Sequence, residues 1–190
     1  MKIENTFEVE APPESAWDLL MDVPRVIPCM PGAELAETID ESTWKAHLKV
    51  KLGPISLNFE ADVTREEVDE AAGRVRLAAQ ARELKGRGAA LATIQSTLAA
   101  FNGGTRVEVV TDLGMSGAIA QYGRGMVQDV STQLVTSFAE CLQKQLVATP
   151  EQAEAAVAAQ AKPVSGLRLG LAAFARSIAR IFRRKERSGP

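Results

Sequence analysis

The chain has 190 residues, of which 46% are hydrophobic and 24% charged, a composition typical of one soluble globular domain with an appendage. No run of about 20 apolar residues is present, which excludes a single membrane-spanning helix. The formal net charge of −2 conceals an asymmetry: residues 1–161 carry 14 Lys+Arg and 23 Asp+Glu, whereas residues 162–190 carry 8 Lys+Arg and one acidic residue. Any function must therefore explain a basic tail on an acidic body.

The N-terminal segment predicts one strand followed by short helices. Apolar and polar residues alternate over residues 2–10, which is typical of a half-buried strand. Residues 13–22 begin with a proline and carry a short apolar face, so they predict a helix. Val26–Met30 predicts one further helical turn before a proline and a glycine break the chain.

From Ala33 onward the hydrophobic period is two, and turn signals divide the region into strands. The predicted turns are Gly53-Pro54, the acidic segment Arg65–Gly73, Gly86-Arg87-Gly88 and Asn102-Gly103-Gly104, and the last predicted strand is Arg106–Leu113. Because short turns join about six successive strands, the sequence predicts an antiparallel meander with one apolar face per strand.

The longest predicted helix covers residues 121–147 and contains no proline. Its apolar stripe is broad in the C-terminal half and thins to glycines around Tyr122 at the N-terminal end. We expect the sheet to curl around this helix and the uneven stripe to leave an apolar cavity, in which Tyr122 could donate a hydrogen bond to a ligand carbonyl. The predicted lining consists of Met30, Leu52, Ile55, Leu57, Met115, Ile119, Tyr122, Met126 and Val130.

The C-terminal region divides into a linker, residues 149–165, and a basic amphipathic segment, residues 166–190. On a helical projection the apolar arc comprises Leu167, Leu171, Phe174, Ile178, Ile181 and Phe182, and the opposite face includes Arg176, Arg180, Arg183 and Arg184. This pattern favours a helix that lies in the headgroup region of an anionic membrane surface. Docking onto a protein, including the acidic body itself, is the second interpretation, and a nucleic-acid arm is the third.

The residue pattern gives little support to catalysis. The single histidine, His47, falls on the outward face of a predicted strand between lysines, so no inward Ser-His-acid set can be built around it. No cluster has the spacing of a metal site. Cys29 and Cys141 are far apart and no signal-peptide pattern precedes them, which favours free thiols in a reducing compartment over a redox or metal-binding pair.

Several motifs together resemble the carbon monoxide dehydrogenase G-subunit (CoxG) family of the START-like, helix-grip superfamily. They are Met30-Pro31-Gly32-Ala33, Lys49-Val50-Lys51-Leu52-Gly53-Pro54-Ile55, Gly104-Thr105-Arg106-Val107 and Gly117-Ala118-Ile119-Ala120-Gln121-Tyr122-Gly123, with Phe138 downstream. The resemblance implies an α+β fold in which a curved antiparallel sheet of about seven strands grips the C-terminal helix. The expected organisation is a START-like ligand-binding domain over residues 1–148, followed by the linker and the tail helix.

The resemblance also implies a function without catalytic residues. We expect an accessory protein that binds menaquinone or ubiquinone and recruits a molybdenum-containing carbon monoxide dehydrogenase, or a related hydroxylase, to the cytoplasmic face of the inner membrane. The quinone would accept electrons from that enzyme, and no metal or nucleic acid is expected to bind. Two alternatives stay open: a START-like enzyme of the cyclase or hydratase type, with Asn5, Ser96, Thr111 and Tyr122 as its inward polar residues, and a docking adaptor with no ligand.

Overall fold

The structure is a computed structural model that describes residues 1–53 and 55–147. The predicted linker, residues 149–165, and the predicted membrane-surface helix, residues 166–190, lie outside the described residues. The turn proline at position 54 also lies outside them.

Seven strands, three α-helices and two short 3₁₀ helices make up the described chain. The strands are β1 (Lys2–Val9), β2 (Ala33–Thr38), β3 (Thr43–Leu52), β4 (Ile55–Asp69), β5 (Arg74–Glu83), β6 (Gly88–Phe101) and β7 (Gly104–Gly117). The helices are α1 (Pro13–Met21), α2 (Val23–Val26) and α3 (Arg124–Val147), with 3₁₀ helices at Ile27–Cys29 and Ala118–Gln121. The predicted first strand, first helix and long helix are thus confirmed to within three residues at each end.

The strands form one antiparallel sheet in the order β1-β7-β6-β5-β4-β3-β2. Strands β2 to β7 follow each other as a meander, and β1 closes onto β7 at the far edge. The curved sheet holds α3 against its inner face, which is the predicted helix-grip architecture. Together with β1, the predicted run of about six strands from Ala33 onward agrees with the seven strands of the described sheet.

The predicted turn at Arg65–Gly73 is wrong for most of its length. Strand β4 continues to Asp69, with a bulge between Arg65 and Glu67, and only the following four residues turn the chain. Acidic residues are tolerated in this strand because arginines on β5 lie opposite them: Arg76 Nη2 is 2.7 Å from Glu67 Oε2. Such cross-strand pairs stabilise a sheet that the local composition alone would not predict.

Two separate apolar clusters hold α3 against the sheet. The larger cluster surrounds the C-terminal half of α3 and contains Phe7, Val9, Leu19, Leu98, Val107 and Leu142. The smaller one lies near the start of α3 and is built on Leu57, Phe59 and Ile119. The difference in size between the two clusters agrees with the expectation that α3 packs more fully at its C-terminal end.

The prediction that Cys29 and Cys141 are free thiols is wrong, because the two residues form a disulfide. Their Cα atoms are 5.4 Å apart, and both side chains are fully buried. The amide of Gln145 donates to Arg25 O at 3.2 Å and to Cys29 Sγ at 3.1 Å. The sequence separation of 112 residues hid this pairing, since only the fold brings the 3₁₀ helix Ile27–Cys29 against α3.

Candidate functional site

A groove lies between α3 and strand β3, beside the loop that precedes β2. Its volume is about 400 Å³, and we call it the α3 groove. Its walls are formed by Pro31, Gly32, Lys49, Val50 and Lys51 on one side and by Val130, Thr132, Gln133, Leu134, Thr136 and Ser137 of α3 on the other. The floor is mainly apolar and the rim carries lysines and hydroxyl groups, which suits an apolar ligand with a polar headgroup.

Side-chain hydrogen bonds attach one flank of α3 to β1 and to the residue that follows it. On that flank Asn5 Nδ2 of β1 donates to Ser131 Oγ at 2.8 Å, and Arg124 Nη2 donates to the carbonyl oxygen of Lys2 at 3.0 Å. The backbone N–H of Glu10 donates to Gln143 Oε1 at 2.7 Å. These bonds fix the helix over β1, and the α3 groove lies on the opposite flank, beside β3.

The wall opposite α3 is set by the loop at Gly32. The N–H of Lys49 donates to the Gly32 carbonyl oxygen at 2.8 Å, which holds this loop against β3. Gly32 has a φ of +80°, and a Cβ there would collide with the carbonyl oxygen of Lys49. Only glycine fits this close approach, so the sequence motif Pro31-Gly32 forms the rim of the groove.

A row of small side chains crosses the inner face of the sheet. Ala46, Ala61, Ala81 and Ala90 lie in direct register on β3, β4, β5 and β6, and the row ends at Met115 on β7. Four neighbouring strands therefore present only methyl groups along one line across the sheet. Larger residues in this row would fill the space between sheet and helix.

The structure brings five of the nine predicted cavity residues into one cluster. Leu57 and Ile119 are each 2% exposed, and Met115, Tyr122 and Val130 pack against them. Val130 also lines the α3 groove directly. That these residues bind a ligand stays a prediction.

The other four predicted cavity residues lie outside this cluster. Ile55 and Met126 are 37% and 42% exposed, so they stand at the open end of the sheet and helix rather than in the interior. Met30 is half-buried, directly before the Pro31-Gly32 rim. The side chain of Leu52 is outside what the structure describes, as are the predicted membrane-binding residues of the tail.

The inner polar residue Asn5 serves packing rather than an open site, because it bonds Ser131 and accepts a long contact of 3.5 Å from Thr132. His47 is exposed, as predicted. Within residues 1–53 and 55–147, no group of three or more His, Cys, Asp or Glu side chains is placed to hold a metal ion. In the same residues no helix is long and apolar enough to cross a membrane.

An ion pair with a buried carboxylate lies at the end of β5 and was not predicted from the sequence. Glu83 is only 4% exposed, and its Oε1 lies 2.6 Å from Arg87 Nη2. The same guanidinium donates to Ser56 O at 2.7 Å, and the carboxylate accepts from the backbone N–H groups of Lys85 and Arg87. Beyond the end of β5, the pair thereby provides hydrogen-bond partners for the backbone of β4 at Ser56 and Asn58.

The backbone of Arg87 also holds the 3₁₀ helix that precedes α3, since its carbonyl oxygen accepts a hydrogen bond of 3.2 Å from Ile119 N. The only sequence signal was a Glu and an Arg four residues apart around a predicted glycine turn. The hydrogen bond from Arg87 and the backbone N–H donors lower the pKa of Glu83 to about 2, although burial acts in the opposite direction.

We expect Glu83→Gln to lower the free energy of unfolding at neutral pH, because the amide loses the charge that pairs with Arg87. The folded-state pKa of about 2 lies below the ordinary value of 4.5, so the stabilisation is complete above pH 4.5 and is lost as the pH falls towards 2. The difference between wild type and variant in urea unfolding should shrink over that interval. Glu60→Gln, at an exposed carboxylate on β4, is the control, and an equal pH response in both variants would contradict the assignment.

Comparison with known proteins places the fold. No curated protein matches the chain. Among solved structures, a conserved protein from Geobacillus kaustophilus superposes with a TM-score of 0.68 at 22% identity, covering 77% of this chain and 95% of its own. A protein from Thermus thermophilus gives 0.55 at 16% identity, covering 82% of this chain and 99% of its own. The Zhui aromatase/cyclase from Streptomyces sp. R1128 gives 0.55 at 13% identity, covering 77% of this chain and 93% of its own.

At these identities the structural likeness shows the helix-grip fold alone, and it is shared by an enzyme and by proteins whose names give no activity. A family model is more specific. The model of the carbon monoxide dehydrogenase G-subunit (CoxG) matches residues 6–147, which include all seven strands in whole or part and the whole of α3. The chain belongs to the carbon monoxide dehydrogenase G-subunit family, CoxG.

Proposed function

We propose that this protein is a non-catalytic accessory of a molybdenum-containing carbon monoxide dehydrogenase or a related hydroxylase. In this proposal the α3 groove carries a lipid quinone, menaquinone or ubiquinone, and the basic tail attaches the protein to the cytoplasmic face of the inner membrane. The quinone then accepts electrons from the partner enzyme. Membership of the CoxG family supports the link to that enzyme.

The observation that carries the proposal is the position and lining of the α3 groove. It lies between α3 and β3, is mainly apolar and is partly open to solvent, so an apolar chain can bind there. Val50, Val130 and Leu134 offer apolar contacts, and burying a methylene group is worth about 0.8 kcal/mol. At the rim, Lys49 and Lys51 provide donors for the carbonyl oxygens of a quinone headgroup.

The energy balance explains why such a carrier needs a membrane attachment. An isoprenoid chain gains about as much from the bilayer as from an apolar protein groove, since both remove the same surface from water. The free energy of moving quinone from the bilayer into the groove is therefore close to zero. The rate of extraction then depends on how long the groove stays near the lipid. A tail with arginines opposite an apolar arc would provide a reversible attachment.

We expect the intact protein to extract quinone from anionic vesicles faster than a chain that ends at residue 161. Both forms should hold similar amounts when the quinone is supplied in detergent, because the α3 groove is the same. The measurement is the quinone bound to protein separated from vesicles, followed over time. Equal extraction rates would show that the tail has no role in loading.

Native mass spectrometry of the purified intact protein separates the carrier from a ligand-free docking adaptor. A bound species with the mass of a quinone supports the carrier. Protein that stays free of ligand, even after incubation with quinone in detergent, would leave only the adaptor.

A further inference from the structure

One end of the domain, where β4 begins and β5 ends, exposes several apolar side chains. Leu84 is 61% exposed in the loop after β5, and its N–H donates to Asn58 O at 2.8 Å, which fixes the loop beside β4. Ile55 begins β4 two residues from the buried Leu57 and on the same face of the sheet. Such a grouping, unlike scattered exposed residues, is typical of a contact surface.

Met126 of α3 belongs to the same end. It lies one helical turn before Val130, which lines the α3 groove and packs against Leu57 and Ile119. At 42% exposure Met126 adds another apolar side chain to the surface at this end.

Lysines without acidic partners surround these apolar residues. Lys49 and Lys51 lie opposite Asn58 and Ser56 on β4, whereas Lys45, further along β3, lies opposite Asp62. In the described part of the chain, no carboxylate comes within 4.0 Å of the side-chain nitrogen of Lys49, Lys51 or Lys85. The positive charge at this end is therefore available to an external anion, although residues 1–161 are net negative.

Lys49 connects Leu84 with the α3 groove. Lys49 and Leu84 both line a shallow depression of about 320 Å³ beside β3, and Lys49 and Lys51 also line the α3 groove. We call this end the hairpin-end surface, defined by Lys49, Lys51, Ile55, Leu84, Lys85 and Met126.

We propose that the hairpin-end surface itself contacts an anionic phospholipid bilayer, in addition to any attachment through the tail. Lysine ammonium groups meet the phosphate groups, and the exposed apolar side chains enter the boundary between headgroups and acyl chains. Because Lys49 and Lys51 also line the α3 groove, this contact brings the groove close to the lipid, so a hydrophobic ligand can pass between them with little exposure to water. The proposal goes beyond the proposed carrier function, because the surface binds lipid whether or not the groove holds quinone.

The test uses tryptophan fluorescence of the intact protein bound to vesicles of phosphatidylcholine and phosphatidylglycerol with brominated acyl chains. Leu84→Trp places a reporter in the hairpin-end surface. Leu91→Trp is the matched control, since Leu91 is 59% exposed but lies on β6 in the outer face of the sheet. Both variants keep the tail and the native Trp17 and Trp44, so any difference between them reports the position of the added ring.

We expect strong quenching of the tryptophan at position 84 and little at position 91. Lys49→Glu/Lys51→Glu should weaken vesicle binding about 30-fold, because each nearby lysine contributes about 1 kcal/mol. Arg25→Glu/Lys144→Glu, with the same change of net charge at the other end of the domain, should have a much smaller effect.

Equal quenching at both positions, or none at position 84 in protein that sediments with the vesicles, would overturn the proposal and leave an acidic protein as the partner of this surface. If the intact protein does not bind vesicles at all, both this contact and the tail attachment are wrong. Quinone extraction is measured separately, so quenching at position 84 without extraction would retain the membrane contact and reject the carrier.

Discussion

Replacement of both Cys29 and Cys141 by alanine is expected to lower the free energy of unfolding by about 4 kcal/mol. The disulfide closes a loop of 112 residues, and a cross-link of that span stabilises mainly by restricting the unfolded chain. For a protein of this size, the loss corresponds to a fall in Tm of about 10 °C. Urea unfolding of the wild type and of the double variant, both under oxidising conditions, measures the effect.

The double alanine variant is the appropriate change because a single substitution would leave an unpaired buried thiol. A reducing agent added to the wild type should reproduce the loss only after prolonged incubation or in urea, since both sulfur atoms are fully buried. The double variant should be insensitive to the reducing agent. Equal stability of wild type and double variant would show that the cross-link contributes nothing to this fold.

Substitution of Val130 by tryptophan is expected to reduce quinone loading at least tenfold. Val130 lines the α3 groove between the helix and β3, and a larger ring there occupies the volume that the ligand needs. Overpacking of a half-open site typically costs about 1–3 kcal/mol, so the variant should still fold. Loading is measured as bound quinone per protein after incubation in detergent.

Asp129→Trp is the matched control, since its side chain is exposed on the neighbouring position of α3 and does not line the groove. It should load quinone like the wild type. If Val130→Trp also loads normally while its circular dichroism spectrum is unchanged, the ligand lies elsewhere, and the α3 groove has a different role.

The architecture was predictable because its signals are local. Alternation over residues 2–10 and the helical stripe of residues 121–147 depend on neighbours along the chain, and both elements appear where expected. Strand β4 shows the limit of that reasoning. The segment from Glu66 to Asp69 is too acidic to predict as strand, and the arginines that stabilise it, Arg74 and Arg76, act from β5.

The details of the candidate site depend on contacts between distant residues, which explains why fewer of them were predictable. Leu57 and Ile119 meet as expected because both face the interior. The pairing of Cys29 with Cys141 requires the fold, and so does the ion pair of Glu83 with Arg87, which caps the free end of β4. The register of the alanine row also follows from pairing between strands rather than from any one segment.

The direction of α3 determines how long the connection between the domain and the tail has to be if both contact one bilayer. The helix has 24 residues and is about 36 Å long, and it runs from the hairpin-end surface to the opposite end of the domain, where Gln145 meets Arg25. For both the hairpin-end surface and the tail to touch one bilayer, residues 148–165 must double back along that length. Eighteen residues reach at most about 60 Å when fully extended, but about eight reach less than 30 Å. If the tail attaches to lipid as proposed, a much shorter connection would bring the opposite end of the domain to the bilayer and keep the hairpin-end surface away from it.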